Sequence, residues 1–203
     1  MTTATNLMLS AEEQFLVNKT DWILMKRDIL GKVVSLLSSF SVTVEPVFKG
    51  GKDFLPEEIL RSEPRISKGE NYLGLPYVLL DHPKYFDKEN IFTIRTLFWW
   101  GNFFSITLHL SGSFTKRFQG SFLRNTALLQ KEGLFFCIGD DQWQHHFDTS
   151  NYLTATELDR EELNQLLVQR SFIKVARKFS LTEWNVMPVL LERSFSELLK
   201  LLQ

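Results

Sequence analysis

The segment from Ile91 to Ser111 constrains the fold of this chain more than any other. Two runs of branched and aromatic residues alternate with small polar residues, Arg95 and His109, on either side of Trp100-Gly101-Asn102-Phe103. Period-two alternation around a glycine marks an antiparallel hairpin, and Gly at the first central position suits a two-residue type II′ turn. That turn pairs Trp100 with Phe103, Phe98 with Ser105, Thr96 with Thr107 and Ile94 with His109. The opposite face then carries Trp99 with Phe104, Leu97 with Ile106 and Arg95 with Leu108. This is also the longest strongly apolar stretch, and its charged interruptions and central turn read as two strands, not a membrane span.

Helical patterns group towards the two ends. Ser10 precedes Ala11-Glu12-Glu13 as in a capping box, and Trp22, Ile29, Val33, Leu36 and Phe40 form an apolar stripe. Helix is expected from about Ala11 to Phe40, with a break near Lys19-Thr20. Val42-Thr43-Val44 then reads as a short strand stopped by Pro46, and Gly50-Gly51 as a loop. Leu55 to Leu60 reads as a helical turn, and Tyr77 to Leu80 as a strand closed by Asp81-His82-Pro83. Phe114, Phe118 and Phe122 step by four along a further helix. Gly133 stops it, Leu134 to Ile138 returns to strand, and Trp143 to Phe147 suggests a second hairpin. Helices are expected after Thr156, through 170–179, and from Val186 to Leu202, where Pro188 fits only the first turn.

Strands grouped around a hairpin, with helices at both ends, predict an α+β fold. The expectation is one domain over 1–203, built on an antiparallel sheet of about four to six strands with the 91–111 hairpin central. At 203 residues the chain can bury a core without a disulfide or metal. Eighteen Phe, five Trp and four Tyr give it an aromatic surplus that a core uses first.

Charge narrows the function classes. A formal net charge of −1 lacks the basic excess of a dedicated nucleic-acid binder, so that class is demoted. Cys137 is the sole cysteine and sits in an apolar run, where it behaves as a small hydrophobe. The N-terminus lacks a basic region followed by an apolar run, so no secretory leader is expected and the cytoplasm is the expected compartment. The common nucleotide, phosphate, zinc-protease and serine-hydrolase motifs are absent from the sequence, and no cofactor is expected.

The best candidate site is one hairpin face, where Thr96 and Phe98 meet Ser105, Thr107 and His109. Apolar walls with a few hydroxyls and one imidazole suit a small apolar molecule. The competing reading is a covered face whose polar groups are satisfied by neighbours. Arg95, on the more apolar face, needs a partner, and Asp81 at the end of the preceding strand is the candidate. Together they could hold an anionic ligand, or form a structural ion pair. Asp140, Asp141, His145, His146 and Asp148 are rich in metal-ligand types, but only His146 and Asp148 converge on one face of a strand, so no metal is expected. Arg170, Lys174, Arg177 and Lys178 read as a basic stripe on a helix.

Three functions are carried forward. The first is a binding or protein-interaction module, with the aromatic-lined pocket on the hairpin face or an aromatic contact surface. The second is an enzyme using His109 as acid or base. The third is a weak binder of nucleic acid or anionic surfaces through the 170–178 stripe. A homodimer through the leucine-rich C-terminal helix is a further expectation for partners.

Overall fold

Alternation in the centre of the chain becomes a seven-stranded, wholly antiparallel sheet. A computed structural model describes residues 7–130 and 133–203, so part of the opening stretch read for a leader lies outside the described residues. The strands are β1 (Arg65–Tyr72), β2 (Leu75–Phe86), β3 (Ile91–Trp99), β4 (Phe103–Ser111), β5 (Phe135–Cys137), β6 (Tyr152–Thr154) and β7 (Phe172–Ser180). Their order across the sheet is β1-β2-β3-β4-β7-β5-β6. The fold is α+β with helices flanking the sheet, and the 91–111 hairpin lies centrally in it. The sheet has one strand more than the sequence range expected.

Helices α1 (Ala11–Asn18), α2 (Asp21–Lys49), α3 (Glu57–Leu60), α4 (Ser113–Arg124), α5 (Thr126–Leu129), α6 (Arg160–Gln169) and α7 (Met187–Lys200) complete the chain. α1 starts on the expected capping box. Glu13 N–H donates to Ser10 Oγ at 3.2 Å, and Ser10 N–H donates to Glu13 Oε2 at 2.7 Å. The break at Lys19-Thr20 is present, but the expected strand at Val42–Val44 is not. α2 continues through it because Val33, Leu37, Phe40, Val44 and Phe48 keep helical spacing and are all buried. That burial outweighs the weak helix preference of the β-branched residues and admits Pro46 into the helix. α6 is capped by Asp159 rather than Thr156, with Glu162 completing the box.

The hairpin register differs from the expected one by a single residue. Trp99 pairs with Phe103, leaving a three-residue loop, and Asn102 N–H donates to Trp99 O at 3.1 Å. Gly101 occupies the third position of that turn with φ +71°, a value L-residues rarely adopt. Shifting register by one changes which side chains share a face. Thr93, Arg95, Leu97 and Trp99 therefore align with His109, Thr107, Ser105 and Phe103. Ile94, Thr96, Phe98 and Phe92 align instead with Leu108, Ile106, Phe104 and Leu110.

The second set faces the helices. Ile94, Phe98, Phe104, Leu108, Phe136 and Val175 join Val33, Phe40, Phe122, Leu163 and Phe195 in one continuous core. On the other sheet face, two small apolar clusters, around Tyr152 with Phe172 and around Trp99 with Phe103, flank a polar centre.

Candidate functional site

The polar centre is roofed by an irregular strap, residues 139–151, where the sequence suggested a second hairpin. β6 lies beyond the strap and pairs with β5. At the heart of the centre Arg95 Nε and Nη2 donate to Asp81 Oδ1 and Oδ2 at 2.7 and 3.0 Å. Thr93 Oγ1 donates to the same carboxylate at 3.2 Å. A β-bulge between Asp81 and Lys84 makes this possible. It leaves Asp81 opposite Arg95 while His82 packs against Phe48 and Phe195 on the helix side. The guanidinium also lies 5.7 Å from the Phe86 ring and 6.0 Å from the Trp143 ring, and Nη1 is 3.4 Å from His145 Nε2.

Lys174 stands next to His109 in the β4–β7 register and is 1% exposed. Its ammonium donates to two main-chain oxygens of the strap, Gln142 O at 3.1 Å and Gln144 O at 2.5 Å. It also lies 5.3 Å from the Tyr152 ring centre. His109, also 1% exposed, has Nε2 3.1 Å from Gln142 Oε1, with the ring N–H as donor. The Tyr72 hydroxyl accepts from the strap N–H groups of His145 at 2.6 Å and His146 at 3.1 Å. Asn151 fastens the end of the strap by donating to His146 O at 2.6 Å.

Electrostatics follow from burial among cations. Burial, reinforced by Lys174, pushes His109 down to about 3. Burial, with Lys174 and Arg95 beside it, also drives His145 well below the usual imidazole range. Lys174 is itself pushed down to about 8, chiefly by burial. Burial raises Tyr152 well above, and Cys137 and Tyr72 above, their ordinary values. At neutral pH the buried part of the face therefore holds the Lys174 ammonium and two neutral imidazoles beside the Arg95–Asp81 ion pair.

The residues singled out from sequence divide between the two faces. Asp81, Arg95, Ser105, Thr107 and His109 share the strap face. Thr96 and Phe98 do not. Phe98 packs on Phe104 and Trp184, and Thr96 is buried with no hydrogen-bond partner for Oγ1. The mixed aromatic and hydroxyl face expected from the two-residue turn is thus not formed, because the turn has three residues. Gln142 and Trp143 of the strap cover His109, and the side chain that hydrogen-bonds its ring is an amide, not a carboxylate.

The basic stripe dissolves for a similar reason. Phe172–Ser180 is a strand, so Lys174 and Lys178 share one face and Arg177 takes the other, where it pairs with Glu197 at 2.9 Å. Arg170 donates to Ile138 O at 2.9 Å and to Gly139 O, and so pins the start of the strap. Among the described residues no group of three His, Cys, Asp or Glu is arranged to hold a metal. His146 Nδ1 and Asp148 Oδ2 lie 3.7 Å apart. Sequence reasoning missed Lys174 as a buried group, and with it Gln142, Gln144 and Tyr72. The alternation of Ile173, Val175 and Phe179 was the signal for the strand that buries it.

A second feature lies at the opposite extreme of polarity. α1 buries no residue, and α2 buries none before Val33. Phe15 and Val17 are 62% and 69% exposed, Leu24 and Met25 56% and 63%. Leu16, Trp22 and Ile23 are also exposed, and the elbow between the helices encloses a concavity of about 510 Å³ lined by Leu16, Val17, Trp22, Ile23 and Leu24. All seven residues are more than two-fifths exposed at neighbouring positions on the two helices of the elbow, whereas exposed apolar residues on a monomer are ordinarily scattered singly. By length and composition the helical stretch Asp21–Asp53 is apolar enough to cross a membrane, but its second half carries the buried core contacts of α2.

The chain matches no family model, no curated protein and no solved structure.

Proposed function

We propose that this protein is a non-enzymatic interaction module whose contact element is the N-terminal helical arm, residues 11–28, and whose partner is a second copy of the same chain. The observation that carries this reading is the fully apolar turn Trp22-Ile23-Leu24-Met25, exposed on a helix whose far half is packed. A helix turn that is apolar all round is stable in water only when something covers it. The arm supplies both a concave elbow and protruding apolar side chains, Phe15 and Met25, so two copies related by a two-fold axis complement each other.

Charge favours a protein partner over a lipid surface. The arm carries four acids (Glu12, Glu13, Asp21, Asp28) against three bases (Lys19, Lys26, Arg27), without the basic face of interfacial membrane helices. The enzymatic alternative through His109 has less support, since that ring is covered, neutral and without a carboxylate partner.

Sedimentation equilibrium of the full chain tests the reading. The expected result is a dimer at micromolar concentration that Ile23→Glu with Met25→Glu converts to a monomer with unchanged circular dichroism. The two residues are 48% and 63% exposed, so the substitutions leave the core intact. A monomeric wild type, a variant that still dimerises, or a wild type that is monomeric and binds zwitterionic vesicles would each overturn it.

A further inference from the structure

The charge inventory under the strap does not balance. Arg95 and Lys174 are both buried on this face, but the single buried carboxylate there among the described residues, Asp81, is consumed by two bonds from Arg95 and one from Thr93. Lys174 is left with neutral main-chain oxygens. An ammonium out of water costs several kcal/mol unless a charge and good hydrogen bonds compensate it. The neighbours of Lys174 on the same face of β7, Phe172 and Ala176, belong to a small buried apolar cluster, where an apolar side chain would serve a purely structural role at lower cost.

The strap's oxygens are arranged in a suggestive way. One residue, Gln142, offers its side-chain oxygen to His109 Nε2 and its main-chain oxygen to Lys174 Nζ, both at 3.1 Å, and Gln144 O adds a third oxygen. Two donors on adjacent strands are thus met by oxygens that stand as the oxygens of a small anion would. The stretch 140–144 lies between two anchors, Arg170 on the carbonyls of Ile138 and Gly139 and Tyr72 on the N–H groups of His145 and His146, and within it Asp141, Trp143 and Gln144 are exposed.

We propose that His109 and Lys174, with Arg95 behind them, form a binding site for a small oxyanion, closed in this structure by Gln142 and Gln144 of the 139–151 strap. An entering anion exchanges neutral acceptors for a charged one at Lys174, and charge-assisted bonds are the stronger kind. The 140–144 stretch lifts between those two anchors, and Trp143, which packs on both His109 and Arg95, moves with it. Phosphate, sulfate and short carboxylates share the required chemistry. Asp141 at the rim and the buried Asp81 are the acidic groups that oppose the anion's approach.

The test uses inorganic phosphate, with sulfate and acetate in parallel, titrated calorimetrically into the full chain against sodium chloride of matched ionic strength. Wild type is expected to show saturable binding, and the anion that binds tightest names the source. Lys174→Met weakens it about tenfold to a hundredfold, the worth of a lost charged hydrogen bond. Gln142→Gly removes the competing oxygen of the side chain and tightens binding several-fold; this variant leaves the sheet untouched and keeps the test valid if Lys174→Met fails to fold. Absence of saturable binding by any of the three anions up to about 10 mM, in both wild type and Gln142→Gly, overturns the proposal. So does a folded Lys174→Met protein that binds as wild type does.

Discussion

Acidification should unfasten the strap face, and His109 gives the size of the effect. The unfolded imidazole takes up its proton near 6.5, whereas the folded one, buried beside Lys174, does so only near 3. Between those values the unfolded chain binds more protons, so stability is present in full above 6.5 and falls as the pH falls. At pH 5 the unfolded state gains about 2 kcal/mol from protonating this one ring, and by pH 3 the loss exceeds about 4 kcal/mol. His145 and His82 are lowered in the same direction and add to the wild-type loss. The His109→Gln variant separates the contributions: an amide can replace the ring N–H that meets Gln142 and does not titrate. Urea melts of both proteins at pH 7.5 and pH 5 are the assay. The account predicts that wild type loses about 2 kcal/mol more than the variant over this interval. Equal losses would mean that His109 titrates normally in the folded protein, and the description of a closed, cation-lined face would be wrong.

Other consequences of the same face can be measured independently. Arg95→Met leaves the Asp81 carboxylate buried and alone and should cost about 3–5 kcal/mol, whereas Arg95→Met combined with Asp81→Leu should cost clearly less than the sum of the two single changes; additive losses in urea melts would refute the pairing. Cys137, buried with its thiol pushed up by burial, should react with a disulfide reagent only on the timescale of global unfolding, and a stoichiometric burst in native buffer would contradict its placement.

How much of this was legible in the sequence depends on how local the deciding force was. The break before α2, the final helix with Pro188 in its first turn, and the 91–111 hairpin were readable because caps, proline and period-two alternation act over a few residues. The hairpin register was not, since it turned on whether Gly101 takes the first or the second central position of the turn, and that choice moved Thr96 and Phe98 to the helix side. α2 was cut short at Phe40 because Val42-Thr43-Val44 has strand-like propensity, and only the core that takes up Val44 and Phe48 keeps it helical. β1 went unseen because it is a polar edge strand, with sparse apolar alternation. The basic spacing of 170–178 suggests a helix where β7 forms, although Ile173, Val175 and Phe179 alternate. The contact of Arg95 with Asp81 could be anticipated from a buried guanidinium's need for a partner. The partners of Lys174 could not, because they are main-chain oxygens of an irregular strap more than two dozen residues away.

Contact of two copies through the N-terminal arm can be read out by site-specific cross-linking. Cys137 is the only native cysteine and is buried, so an introduced thiol reports alone. Leu24→Cys places it on the arm. Val168→Cys places it at an exposed site beside Gly112, at the end of the sheet away from the Lys26–Glu70 contact that marks the arm. On mild oxidation the account predicts rapid covalent dimers from Leu24→Cys and slow, concentration-driven ones from Val168→Cys. Equal rates at the two positions, or no dimer from Leu24→Cys, would contradict it.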